Sequence, residues 1–143
     1  MLVILEGCDG VGKTTLANSI RNALAPHAKI IHCTKETPND YRFFSNIIYN
    51  SKNVFVVADR FMYGQFVYQT EEERHLTQEQ LYRLETELLG VEHTLIHVRT
   101  TPQEALNRLS LRKENTEKPV AEIMKGFEVI LGNSILEVNE WWT

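Results

Sequence analysis

The sequence is short of most features that would fix a protein's class at sight. It holds two cysteines in 143 residues, Cys8 and Cys33. Two thiols are too few for a disulfide framework, and their separation matches no zinc site, so reduced thiols in a cytoplasmic protein are expected. The five histidines are scattered along the chain. No apolar run approaches the ~18 residues that a membrane helix needs, so no membrane partner is expected. Leu2-Val3-Ile4-Leu5 follows no basic leader, which predicts no secretory signal. Positive charge is in deficit: 15 Lys and Arg stand against 19 Asp and Glu, a net of −4. Nucleic acid selects a basic face, so a nucleic-acid partner is not expected. There is no repeat, low-complexity tract or Pro/Gly-rich linker. This length suits one hydrophobic core, which predicts a single domain over 1–143.

What the chain does have is alternation. Leu2 to Leu5 is a wholly apolar run that stops at glycines, as a strand buried on both faces does. Leu16, Ile20 and Leu24 then share a helical face. Lys29 to Cys33 reads as a second strand and Asn39 to Asn50 as a helix carrying Phe43, Phe44, Ile47 and Ile48. Asn53 to Ala58 is a β-branched third strand, with a helix after Arg60. Thr77 and Gln80 form a capping box for a helix that Gly90 ends. Thr94 to Val98 is a fourth strand, and helices follow from Thr101 and over Val120 to Leu131. Ile135 to Val138 reads as a last strand. Strands alternating with helices predict an α/β fold of three layers, a parallel sheet flanked by helices. Ligands of such sheets sit beyond the carboxyl ends of the strands. Gly7, Lys35 and Asp59 each follow a strand, so they should converge there.

Gly7-Cys8-Asp9-Gly10-Val11-Gly12-Lys13-Thr14 fits G-x-x-x-x-G-K-[ST] throughout, between a strand and a helix, and Thr15 follows it. Glycines let successive N–H groups curl around an anion, and the next helix aims its positive end at the same point. Lys13 is expected on the outer phosphates of ATP and the Thr14 hydroxyl on magnesium. This predicts a P-loop NTPase, with ATP and Mg2+ as its cofactors.

Val57-Ala58-Asp59-Arg60 places an acid and a base at the same sheet edge. Asp59 can hold magnesium or accept a proton, and Arg60 can clamp a phosphate with two N–H groups. Arg108 and Arg112 lie four apart on one helix face and, with Lys113 and Lys118, form a basic cluster that can neutralise a transferring phosphoryl group. The alternatives are an aspartate that merely caps a helix and a solvated basic helix end.

Leu5-Glu6-Gly7-Cys8-Asp9-Gly10-Val11-Gly12-Lys13-Thr14-Thr15 resembles the opening of thymidylate kinases. Asp59-Arg60-Phe61 with Gln65, Tyr68 and Gln69 resembles that family's Asp-Arg-Tyr segment. Thr34-Lys35-Glu36-Thr37-Pro38 resembles its Thr-Arg-Glu-Pro loop, with Lys35 in place of arginine. Thr101 to Arg108 resembles the helix leading into its lid. The resemblance implies transfer of the ATP terminal phosphate to a nucleoside monophosphate, that of deoxythymidine first. It implies Asp9 near the acceptor sugar, Lys35 and Arg60 on the acceptor phosphate, and Tyr68 and Gln69 near its base. Phe44 stands for an aromatic that the family sets against the base. Arg108 and Arg112 would be lid residues, and a homodimer would be the assembly. A chain this compact would suit a virus or phage. Two rivals are a deoxynucleoside kinase and a P-loop ATPase without a small acceptor. A guanine switch is excluded by the lack of an Asn-Lys-x-Asp run.

Overall fold

Leu2, Ile4 and Leu5 are fully buried because their strand has a neighbour on each side and helices across its faces. The computed structural model describes residues 1–34, 39–111 and 119–143. The central strand is β1 (Leu2–Glu6), joined by β2 (Lys29–His32), β3 (Val56–Asp59), β4 (His93–Arg99) and β5 (Val138–Trp142). They form a five-stranded sheet of order β2-β3-β1-β4-β5. Every pairing is parallel. This is the α/β architecture, a parallel sheet flanked by helices, that the alternation predicts.

The register sets the site. Leu5 pairs with Asp59, and His32 pairs with the same Asp59 from the other side. The carboxyl ends of β1, β2 and β3 therefore finish level.

Among the described residues six helices connect the strands: α1 (Lys13–Leu24), α2 (Tyr41–Asn50), α3 (Gly64–Tyr68), α4 (Gln78–Leu89), α5 (Pro102–Leu111) and α6 (Val120–Gly132). α1 packs across β1, β2 and β3, while α2 meets α4 and α6 meets α3 and α5. Right-handed crossovers put α1 on one face and the others on the opposite face. The capping box at α4 is present: Gln80 N–H donates to Thr77 Oγ1 at 3.1 Å and Thr77 N–H to Gln80 Oε1 at 3.0 Å. α2 starts later than the pattern predicts, because Asp40 caps it by accepting from Phe43 N–H at 2.9 Å. No helix among the described residues is long and apolar enough to cross a membrane.

Two expectations change. The last strand is Val138–Trp142, not the stretch from Ile135. Leu136 is instead a buried plug before it, 6% exposed. Phe44, expected against an acceptor base, lies in the core. Its side chain is fully buried and packs edge-on against Phe61, with ring centres 4.9 Å apart. An aromatic this size on the inner face of an amphipathic helix stabilises most by joining the core.

Candidate functional site

The turn after β1 is shaped by glycine. Gly10 and Gly12 have φ of 86° and 95°, a region that side-chain-bearing residues avoid. Gly12 is the residue before α1, so the helix opens without a side-chain cap and its first N–H groups stay available to an anion. Lys13 begins that helix. Its ammonium is buried and donates to Gly7 O at 2.8 Å and Cys8 O at 3.0 Å. Burial depresses its pKa, and the nearby Arg60 adds to that. Burial pushes the Cys8 thiol up to about 11 and Cys33 to about 12, so neither is a nucleophile at neutral pH.

Asp59 meets α1 directly. The Thr14 hydroxyl donates to Asp59 Oδ2 at 2.6 Å. His32 Nδ1 lies 2.9 Å from the same oxygen. Asp59 is 1% exposed, and its Oδ1 is buried without a hydrogen-bond partner among the described residues. A carboxylate oxygen left bare in the interior costs free energy unless something fills it. A hydroxyl beside such an oxygen is a hard-donor pair that suits magnesium.

Arg60 follows with φ of 74°, the left-handed region. Its N–H donates to Leu5 O at 2.9 Å. The guanidinium pairs with the Asp9 carboxylate and lies 4.9 Å from the centre of the Tyr68 ring. Tyr68 in turn accepts from Asp9 N–H at 3.0 Å, and burial raises its phenol pKa. Tyr68 is thus the platform under the Asp9–Arg60 pair. Glu6 underlies the same turn, its Oε2 accepting from Tyr63 N–H at 2.7 Å. It is fully buried, and desolvation raises its pKa from 4.5 to about 7.

Asp9, Lys13, Thr14, His32, Asp59 and Arg60 share a cavity of about 780 Å³, within the range of small-ligand sites. Thr14, Thr15, His32, Asp59 and Arg60 line it toward β2, and Leu111, Trp141 and Thr143 toward β5. Arg108 reaches the loop from α5, donating to Gly10 O at 3.1 Å and to Thr143 Oγ1 at 3.0 Å. Thr143 Oγ1 donates to Val11 O at 2.8 Å, fastening the end of β5 to the loop.

This geometry has counterparts in known proteins. The AAA domain family, dynein-related subfamily, matches residues 2–140. The chain belongs to that family. No curated protein sequence matches this AAA domain significantly. Among solved structures, the YorR protein of Bacillus subtilis, in complex with phosphorylated GDP, is 24% identical with a TM-score of 0.82 over 99% of this chain and 85% of that one. Deoxyadenosine kinase of M. mycoides, with the products dCMP and dCDP, is 16% identical with a TM-score of 0.61 over 99% and 88%. The same kinase with dCTP is 14% identical with a TM-score of 0.60. At these identities the AAA domain shares their fold.

Of the loop residues of this AAA domain, Asp9, Gly10, Gly12, Lys13, Thr14 and Thr15 line one cavity with Asp59, Arg60 and Arg108. Lys35, Arg112 and most of the lid over about 108–118 lie outside the described residues. Gln69 follows Tyr68 just past α3, half-buried, with its Oε1 lacking a hydrogen-bond partner among the described residues. Sequence reasoning missed His32 and Trp141 as site residues. His32 carries no spacing signal, since its role comes from register. Trp141 had one: adjacent strand residues face opposite ways, so one of Trp141 and Trp142 had to point toward α1.

Proposed function

We propose that this chain is a nucleotide kinase that passes the terminal phosphate of ATP, held with magnesium, to a deoxynucleoside monophosphate, that of deoxythymidine first. One observation carries the reading. Asp59 and Arg60 are consecutive, yet they serve opposite charges in one cavity: Asp59 meets Thr14 at 2.6 Å beside the phosphate loop, while Arg60 is held over Asp9 and Tyr68. A carboxylate for the cation and a guanidinium for a second anion are what phosphoryl transfer between two phosphates requires. The fold shared with a deoxyadenosine kinase supports the phosphotransferase part of this reading and fits a nucleoside acceptor equally well.

The residues divide the work. The loop N–H groups and Lys13 hold the outer phosphates. Thr14 and Asp59 would hold magnesium, which neutralises charge on those phosphates when bound. Arg60 orients the acceptor phosphate, and Asp9 and Tyr68 keep Arg60 in place. Arg108 brings a further cation to the loop. Such a reaction asks the protein for positioning and charge neutralisation and for little covalent chemistry.

The test is ADP production from magnesium-ATP with a panel of nucleoside monophosphates and free nucleosides, using Lys13→Ala as blank. Stimulation by monophosphates supports the proposal. Stimulation by nucleosides alone would move it to a deoxynucleoside kinase. ADP release that ignores every acceptor would favour an ATPase, a reading that AAA-domain membership supports.

A further inference from the structure

Asp59 is held from two sides. Thr14 reaches it from α1, and His32 reaches it from β2. The second contact is a product of the sheet. β2 and β3 run parallel in the register Lys29↔Val56, Ile30↔Val57, Ile31↔Ala58 and His32↔Asp59. Neighbouring strands lie ~4.8 Å apart, and register partners project to the same face. An imidazole opposite a carboxylate then has its Nδ1, the ring nitrogen nearer the backbone, within reach. The 2.9 Å contact needs no long side chain to be ordered.

We propose that His32 is a positioning residue that fixes the Asp59 carboxylate for the cation accompanying the nucleotide. A carboxylate on one methylene turns readily about its last bond. His32 and Thr14 both engage Oδ2, which fixes the carboxylate plane. Oδ1 is then the bare oxygen, buried and without a partner among the described residues. The Thr14 hydroxyl has one hydrogen and two lone pairs, so donating to Oδ2 leaves it able to ligate a cation. His32 is the anchor that such ligation does not compete for. Nδ1–H donation to Asp59 also dictates the ring's tautomer. Partners of this outer kind commonly change metal affinity by about 10- to 100-fold.

The proposal rests on reading Asp59 as the metal-side carboxylate, not on the identity of the acceptor. The probe is ATP binding by calorimetry, with saturating magnesium and again with EDTA. His32→Leu fills the space without a donor, and His32→Asn restores an N–H close to the Nδ1 position. His32 is 57% exposed, so neither change empties the core. His32→Leu should weaken magnesium-ATP binding about tenfold or more and leave metal-free binding within about twofold. His32→Asn should recover most of the loss. Unchanged affinity in His32→Leu would overturn the proposal. Equal loss with and without magnesium, or no recovery in His32→Asn, would do the same. Should His32→Leu fail to fold, His32→Asn against His32→Ala is read by the same criteria. ATP binding of the expected pattern with no acceptor phosphorylated would sink the kinase reading and leave His32 in its role.

Discussion

Arg60 holds Asp9 from a backbone conformation that arginine seldom adopts. Its φ is 74°, and the guanidinium it delivers pairs with the Asp9 carboxylate. Left-handed backbone costs a residue with a side chain ~1–2 kcal/mol. Strain retained at a ligand-facing residue motivates a functional hypothesis for it.

Substituting Arg60 separates strain from chemistry. Arg60→Gly loses the ion pair and the ring contact but relieves the backbone, so stability should stay within about 1 kcal/mol of wild type. On the proposed function the acceptor phosphate loses the cation that orients it, so turnover should fall at least ~100-fold. Urea denaturation and ADP production measure the two effects. A glycine variant with full turnover would remove Arg60 from the site.

Gly7 is limited by space. A Cβ built there would lie 2.4 Å from Val98 O, a backbone atom that cannot rotate away. Gly7→Ala must therefore displace the loop or β4. Affinity for ATP, by calorimetry, should drop tenfold or more, and the melting temperature should fall. Wild-type affinity in this variant would mean that the loop geometry is not what binds phosphate.

The paired tryptophans report on different faces of β5. Trp141 lines the cavity, whereas Trp142 stacks on Arg99, 4.8 Å from its guanidinium. In Trp142→Phe, the remaining Trp141 emission should change on adding magnesium-ATP, and less on adding tripolyphosphate. In Trp141→Phe the nucleotide should leave the spectrum nearly unaltered. The reverse pattern would place the base of ATP elsewhere.

Glu6 gives the fold a pH dependence. Burial raises its pKa from 4.5 to about 7. Below about pH 4.5 the carboxyl is protonated in both folded and unfolded chains and costs nothing. As pH rises the unfolded chain ionises first, so stability is lost up to about pH 7 and levels off above it. The difference amounts to roughly 3 kcal/mol. Glu6→Gln keeps a carbonyl for Tyr63 N–H and cannot ionise. Denaturation at pH 4.5 and pH 8 should show wild type losing about that much relative to the variant. Parallel stability curves would contradict the assignment.

The phosphate loop could be read from sequence because its chemistry is local. Glycine spacing, Lys13 and Thr14 are consecutive demands of one turn. The α4 cap at Thr77 and Gln80 was readable for the same reason. Phe44 and Phe43 looked alike on the helical pattern, and only packing against Phe61 decides which one is buried. The last strand moved to Val138–Trp142 because apolar content alone cannot tell a plug such as Leu136 from a strand. His32 was invisible, since its meaning depends on how β2 is aligned with β3.

The pairing pattern has a consequence for how the chain comes to its native state. β1 takes neither of its partners from adjacent sequence, since Leu2 sits between Val56 and His93. Chains dominated by such distant pairings fold slowly, because loop closure must come before the contacts that reward it. The loop of Gly7 to Thr14 hangs from that central strand, so phosphate binding should emerge late in refolding, after the sheet has closed around β1. Until then the unpaired flanks of an apolar strand are open to other chains. A ligand that grips the loop would therefore act as a trap for the completed sheet, raising the yield of native protein by mass action.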